Sequence, residues 1–210
     1  MKLKVCGMKY PENIREVIKL SPDFLGFIFY QKSPRYMADT LKSGDLTDIP
    51  PHIKKVGVFV DESLPVILER ISEYGLDLVQ LHGKESPDFC QAIKKTGTGI
   101  IKVFHVGEAM DWTQLKAYQL FIDFFLFDTK SKKYGGTGKA FNWEILESYD
   151  LATPYFLSGG ISLDNIDLIK TKGPNAPYAL DVNSRFEVKP GYKDTALLGR
   201  LFERSALLFT

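Results

Sequence analysis

Cysteine is scarce in this chain: Cys6 and Cys90 are the only two in 210 residues, and they form no CxxC pair. Neither a disulfide framework nor a zinc or redox motif is therefore expected. An excess of charge is missing too, since 27 Lys and Arg face 26 Asp and Glu, a formal net charge of +1. That excludes the strongly basic surface by which proteins grip nucleic acid or anionic membranes. No apolar run reaches the ~18 residues that a membrane span needs, and the stretch Met1–Gly7 shows no apolar signal-peptide core. No GxGxxG follows the first apolar run, which argues against a dinucleotide-binding sheet. No linker, repeat or low-complexity tract divides the chain. The expectation is a reduced, soluble, cytoplasmic protein with one domain over residues 1–210.

What is present is alternation. Short apolar runs predict strands at Leu3–Cys6, Phe24–Tyr30, Val56–Val60, Leu78–Leu81, Ile100–Val106, Phe124–Phe127, Tyr155–Leu157 and Ala179–Val182. They are near-continuous rather than strictly alternating, as parallel strands covered on both faces should be. Helix signals fall between them. Pro11 leads into the stripe Ile14, Val17, Ile18; Leu64-Pro65 opens a segment stopped by Gly75; Ser86-Pro87-Asp88 starts another. Further helices are predicted at Asp111–Tyr118, Trp143–Tyr149, Leu163–Lys170 and Thr195–Leu208. Eight strand–helix units of about 26 residues each point to an α/β fold, a single-domain (β/α)₈ TIM barrel near the lower size limit. An open doubly wound sheet is the structural alternative.

In such a barrel the active site lies at the C-terminal strand ends, with phosphate often gripped after strands 7 and 8. The residues at those places are informative. Strand 1 ends Val5-Cys6-Gly7, and strand 2 runs on to Ser33-Pro34-Arg35. Strand 4 ends Gln80-Leu81-His82-Gly83 and strand 5 contains His105. Strand 6 ends at Asp128, before Gly135-Gly136-Thr137-Gly138. Strand 7 ends Ser158-Gly159-Gly160, ahead of a predicted helix start at Ser162-Leu163-Asp164, and strand 8 ends Asp181-Val182-Asn183-Ser184. Each has a plainer reading. A lone cysteine is often core filler, the reading that Cys90 keeps beside Phe89 and Ile93. Glycine pairs can be mere turns, and Arg35 can be a solvated loop cation. His82, His105 and Asp128 form a conceivable N/N/O metal set, but no HxH or HExxH spacing supports it and the side chains would have to converge. No metal is expected. His52, in a Pro-Pro-His loop, reads as exposed.

Taken in order, these segments resemble the phosphoribosylanthranilate isomerase family. The resemblance runs along essentially the whole chain, through Lys4-Val5-Cys6-Gly7-Met8, Leu25–Phe29 with Ser33-Pro34-Arg35, Lys55–Val60, Val79-Gln80-Leu81-His82-Gly83, Asp128 with Gly135–Gly138, Leu157–Ile161, and Pro190–Asp194. It implies an Amadori rearrangement without metal or organic cofactor, in which phosphoribosylanthranilate becomes carboxyphenylaminodeoxyribulose phosphate. By the same resemblance Cys6 matches the general base, Asp128 the general acid, and Arg35 the holder of the anthranilate carboxylate. Gly159, Gly160, Asn183 and Ser184 match the phosphate grip, with Gln80, His82, Gly136 and Asp181 as further substrate-binding residues. The implied partner is a small phosphorylated molecule, with no nucleic acid or membrane, and the protein is a monomer or homodimer.

These roles carry requirements. A cysteine base needs thiolate, which a modest depression of its pKa would supply. A carboxyl acid needs its pKa raised toward 7, at a cost to the anion of roughly 4 kcal/mol. The chain also departs from the pattern at one point, placing Arg185 where the family usually has glycine. Either that loop uses an ordinary φ or its geometry differs. Two rival functions are a metal-dependent pentose-phosphate epimerase using His82 and His105, and a sugar-phosphate binding protein that has lost catalysis.

Overall fold

The computed structural model describes residues 1–107, 109–129, 142–169 and 176–208. Eight parallel strands close on themselves in chain order: β1 (Lys2–Val5), β2 (Phe24–Ile28), β3 (Lys54–Phe59), β4 (Leu78–Leu81), β5 (Gly99–Val106), β6 (Phe124–Thr129), β7 (Tyr155–Leu157) and β8 (Ala179–Val182). The seam is the β1–β8 pair, with Leu3 opposite Leu180 and Lys4 opposite Asp181. The expected barrel is therefore present, with strand ends moved by one or two residues at most of the eight strands.

Alternation within each strand separates two cores. One set, including Phe24, Val56, Leu78, Ile101, Val103, Leu126, Phe156 and Ala179, packs together as the barrel floor. Residues one position away, such as Leu25, Val79, Ile100, Phe125 and Leu180, belong to a larger layer under the helices and loops. Both faces of every strand are covered, which is why the sequence runs are continuous rather than alternating.

The helices form where a start and a stop are both encoded. Helix α1 (Pro11–Val17) begins on proline and buries Ile14 and Val17. Helix α2 (Leu64–Tyr74) has proline in its first turn and ends on Gly75 at φ 57°. Helix α3 (Pro87–Lys94) is capped by Ser86, whose side chain accepts from the Phe89 N–H. Helix α4 (Thr195–Leu208) has its predicted limits. Three other predicted helices are corrected to 3₁₀ segments, at Trp112–Tyr118, Trp143–Ser148 and Ile166–Leu168. Polar side chains there compete for the backbone. Asn165 accepts from the Ser162 N–H and donates to the Gly160 carbonyl, so a turn replaces the helix start expected after Gly160. An antiparallel hairpin that the sequence reading did not anticipate, β9 (Glu187–Lys189) with β10 (Tyr192–Lys193), follows β8.

Candidate active site

Two residues beyond the apolar floor, the inward positions turn polar. Leu78 is followed by Gln80 and His82, Val103 by His105, Leu126 by Asp128, Phe156 by Ser158, and Ala179 by Asp181 and Asn183. Period-two geometry puts each pair on one face of its strand. Of these, Gln80, His82, Asp128, Ser158, Asp181 and Asn183 line one cavity at the barrel mouth, open to solvent. Cys6, Arg35, Gln80, His82, Asp128, Gly159, Gly160, Asp181, Asn183 and Ser184 all line it, so the structure brings ten of the eleven anticipated site residues to one place. The eleventh, Gly136, lies outside the described residues.

Asp128 meets the requirement set for an acid. Burial in the barrel mouth raises its carboxyl to about 6, with Asp181 adding to the rise and the Thr129 N–H and Lys4 opposing it. Its Oδ1 accepts from the Thr129 N–H at 2.8 Å. Its Oδ2 stands 3.6 Å from His82 Nε2. Burial, with His105 and Lys102 nearby, pushes His82 down to about 3, so its ring is neutral at pH 7.

Cys6 contradicts the expectation of a depressed pKa. Burial raises the thiol, Lys4 and Lys193 only partly offset this, and Asp181 works against them. The sign of the shift is set by how dry the site is, which spacing in a sequence does not report. Lys4 was quoted in the motif without a role. It is fully buried on the same strand face as Cys6, two residues earlier, and its Nζ donates to Asp181 Oδ1 at 2.7 Å. Period two could have found it.

The side expected to grip phosphate is built from loops. Gly159 adopts φ +93°, and a Cβ there would stand 2.2 Å from Thr129 Oγ1. Glycine is thus required both by conformation and by the close approach of β6. Arg185 resolves the alternative left open for it: its φ is ordinary, in a 3₁₀ turn over Ser184–Phe186, and it lines the cavity. Arg35 is more constrained than a solvated loop cation. It forms a forked ion pair with Glu187, described below, and neither Glu187 nor Lys193 was singled out by sequence.

The histidine–carboxylate set does converge. One ligand atom each from His82, His105 and Asp128 lie within 4.8 Å of one another. The geometric objection to a metal there is removed, although His82 and Asp128 line the same mouth that the acid–base reading uses. Lys102, buried on the outer face of β5, donates to Glu85 and to the Leu81 and Gly83 carbonyls, and so braces the turn that carries His82.

A family model described as N-(5'-phosphoribosyl)anthranilate (PRA) isomerase matches residues 3–204. The chain is 43% identical over 197 residues to the N-(5'-phosphoribosyl)anthranilate isomerase of Parabacteroides distasonis, covering 92% of this chain and 88% of the relative. The crystal structure of phosphoribosyl anthranilate isomerase from Thermotoga maritima superposes with a TM-score of 0.86 at 34% identity, over 99% of this chain and 98% of that one. A phosphoribosyl anthranilate isomerase crystallised with reduced 1-(o-carboxyphenylamino)-1-deoxyribulose 5-phosphate gives 0.81 at 30% identity, over 99% and 100% of the two chains. No described helix is long and apolar enough to cross a membrane. By the match along nearly its whole length, the chain belongs to the N-(5'-phosphoribosyl)anthranilate isomerase family.

Proposed function

We propose that this protein isomerises N-(5-phosphoribosyl)anthranilate to 1-(2-carboxyphenylamino)-1-deoxyribulose 5-phosphate in tryptophan biosynthesis, with Asp128 as general acid and Cys6 as general base. It would do so in the cytoplasm as one barrel domain, a monomer or a homodimer. The observation that carries the reading is the shared cavity: Cys6 and Asp128 line one mouth, and burial holds the Asp128 carboxyl near 6.

With that pKa about a tenth of Asp128 is protonated at pH 7, and a bound phosphate dianion would increase the fraction. The acid gives its proton to the ribose ring oxygen. As the C1–O bond breaks, the anilino nitrogen lone pair forms an iminium at C1. The Cys6 thiolate then takes the C2 proton, and the C2–H electrons form the C1=C2 bond of an enolamine. A proton added at C1 and the 2-hydroxyl proton lost from oxygen then give the ketone. Cys6 rests as a thiol, so the thiolate has to be favoured by the charges that meet it. Those are Lys4, Lys193 and the iminium itself.

Recognition divides along the substrate. Arg35 would take the anthranilate carboxylate bidentately, which a lysine could not. The backbone around Gly159, Gly160, Asn183 and Ser184 would take the phosphate, with Arg185 adding charge. Neutral His82, with Gln80 Nε2 3.3 Å from its Nδ1, suits hydrogen bonding to the ribose oxygens better than ion pairing.

The second reading, a metal-dependent epimerase of a pentose phosphate, is favoured by the convergence of His82, His105 and Asp128. One assay separates the two. Purified protein given N-(5-phosphoribosyl)anthranilate should quench its anthranilate fluorescence, equally well after exhaustive chelation. Loss of turnover with EDTA, restored by a divalent ion, would favour the epimerase reading.

A further inference from the structure

Arg35 and Glu187 are 152 residues apart in sequence, yet they make the most elaborate ion pair around the cavity. The Arg35 Nε donates to both carboxylate oxygens, at 2.9 and 3.0 Å, and Nη2 donates to Oε2 at 2.7 Å. Glu187 is itself immobilised. Its Oε1 also accepts from Lys193 Nζ at 2.7 Å and from the Gly191 N–H at 3.1 Å, and its side chain is 4% exposed. Lys193 Nζ donates in turn to Asn183 Oδ1 at 2.7 Å. The β9–β10 hairpin is thereby tied to both the β8 loop and the β2 loop.

The guanidinium has two usable edges. Glu187 occupies the Nε/Nη2 edge, and among the described residues no hydrogen bond is made by Nη1. The stem is held as well. A Cβ on Gly7 would stand 2.8 Å from Arg35 Cδ and 2.8 Å from Asn183 Oδ1, so the arm runs close over the residue next to Cys6. Arg35 lines the cavity, and the cluster joins two cations to one carboxylate, leaving positive charge to be met.

We propose that Glu187 is a positioning residue for carboxylate recognition: it grips one edge of the Arg35 fork so that the opposite edge is a preformed bidentate site for the substrate's aromatic carboxylate. The inference rests on the reading of Arg35 given above. Its physical content is preorganisation, because an arginine fixed before binding loses no side-chain freedom when the ligand arrives. The opposite role is a competitor that the substrate must displace, and it predicts an effect of opposite sign.

The test compares KM and kcat on N-(5-phosphoribosyl)anthranilate and on the analogue built on aniline, which lacks the carboxylate. Glu187→Gln should raise KM for the anthranilate substrate about tenfold or more, and change it less than about threefold for the aniline analogue. Because that variant leaves Lys193 buried without its anion, Glu187→Gln with Lys193→Met removes both charges and should keep the same selectivity. A KM that falls, or equal losses on both substrates in both variants, overturns the proposal. Arg35→Ala is the reference. If it too loses both substrates equally, the reading of Arg35 has failed; if it is selective while the Glu187 variants are not, only the role of Glu187 has failed.

Discussion

The floor and the mouth of this barrel share strands, and along β4, β6, β7 and β8 they lie only two residues apart. At the floor Phe156 packs edge-on against Phe24 and Phe124, with ring centroids 5.1 and 5.2 Å away, among Val56, Leu126 and Ala179. At the mouth the next inward residues are Ser158, Asp128 and Asp181, with Lys4 buried beneath them. The floor gains from burying apolar surface. The mouth places charged and polar groups in the same dry interior, which costs stability and shifts the pKa values of Cys6, His82 and Asp128. Stability and chemistry are therefore separated by height along the barrel axis rather than by region of sequence.

The largest effect should come from Cys6→Ser. A hydroxyl has a far higher pKa than a thiol in the same place, so kcat should fall by about 10² to 10⁴ or more while KM changes little. Steady-state kinetics on folded protein checks this; near-normal kcat would remove Cys6 as the base and make His82 the next candidate. The floor should respond in the other currency. Phe156→Ala should lower unfolding free energy by about 3–5 kcal/mol, measured by chemical denaturation. Below the denaturation midpoint kcat should remain within a few-fold of normal. The smallest effect belongs to Arg185→Gly. If backbone N–H groups hold most of the phosphate, KM should rise only a few-fold. A hundredfold rise, about 2.7 kcal/mol, would make the Arg185 side chain a principal phosphate ligand.

The contrast between floor and mouth also explains what the sequence disclosed. Strands were legible because being covered on both faces leaves a continuous apolar run; Tyr155–Leu157 and Ala179–Val182 were read to the residue. Mouth residues were legible where a strand end fixes their height, as with Cys6, His82 and Asp128. Lys4 sits two residues before Cys6 and was available to the same period-two reasoning. Helices after β5, β6 and β7 were not legible as 3₁₀, because Asp111, Asn142, Ser148 and Asn165 engage single backbone groups that periodicity cannot see. Lys193 was quoted only as part of Pro190–Asp194, and no local signal gave it or Glu187 a role, since their partners Arg35 and Asn183 come from other loops. The direction of the Cys6 shift failed for a related reason: it depends on burial among residues distant in the chain.

The sharpest test of a mouth that trades stability for chemistry is Asp128→Asn, followed for activity and stability in one preparation. The carboxyl is raised from 3.8 to about 6 in the folded protein. Between those values the unfolded chain releases its proton first, so folding stability falls as pH rises through that window and stays reduced above it. Asparagine keeps an acceptor for the Thr129 N–H and carries no charge. At pH 7 it should therefore recover up to about 3 kcal/mol of stability, and the pH slope between about 4 and 6 should flatten. In the same sample kcat should fall by about 10² to 10⁴. A variant that keeps its activity, or that loses stability along with it, would contradict the account.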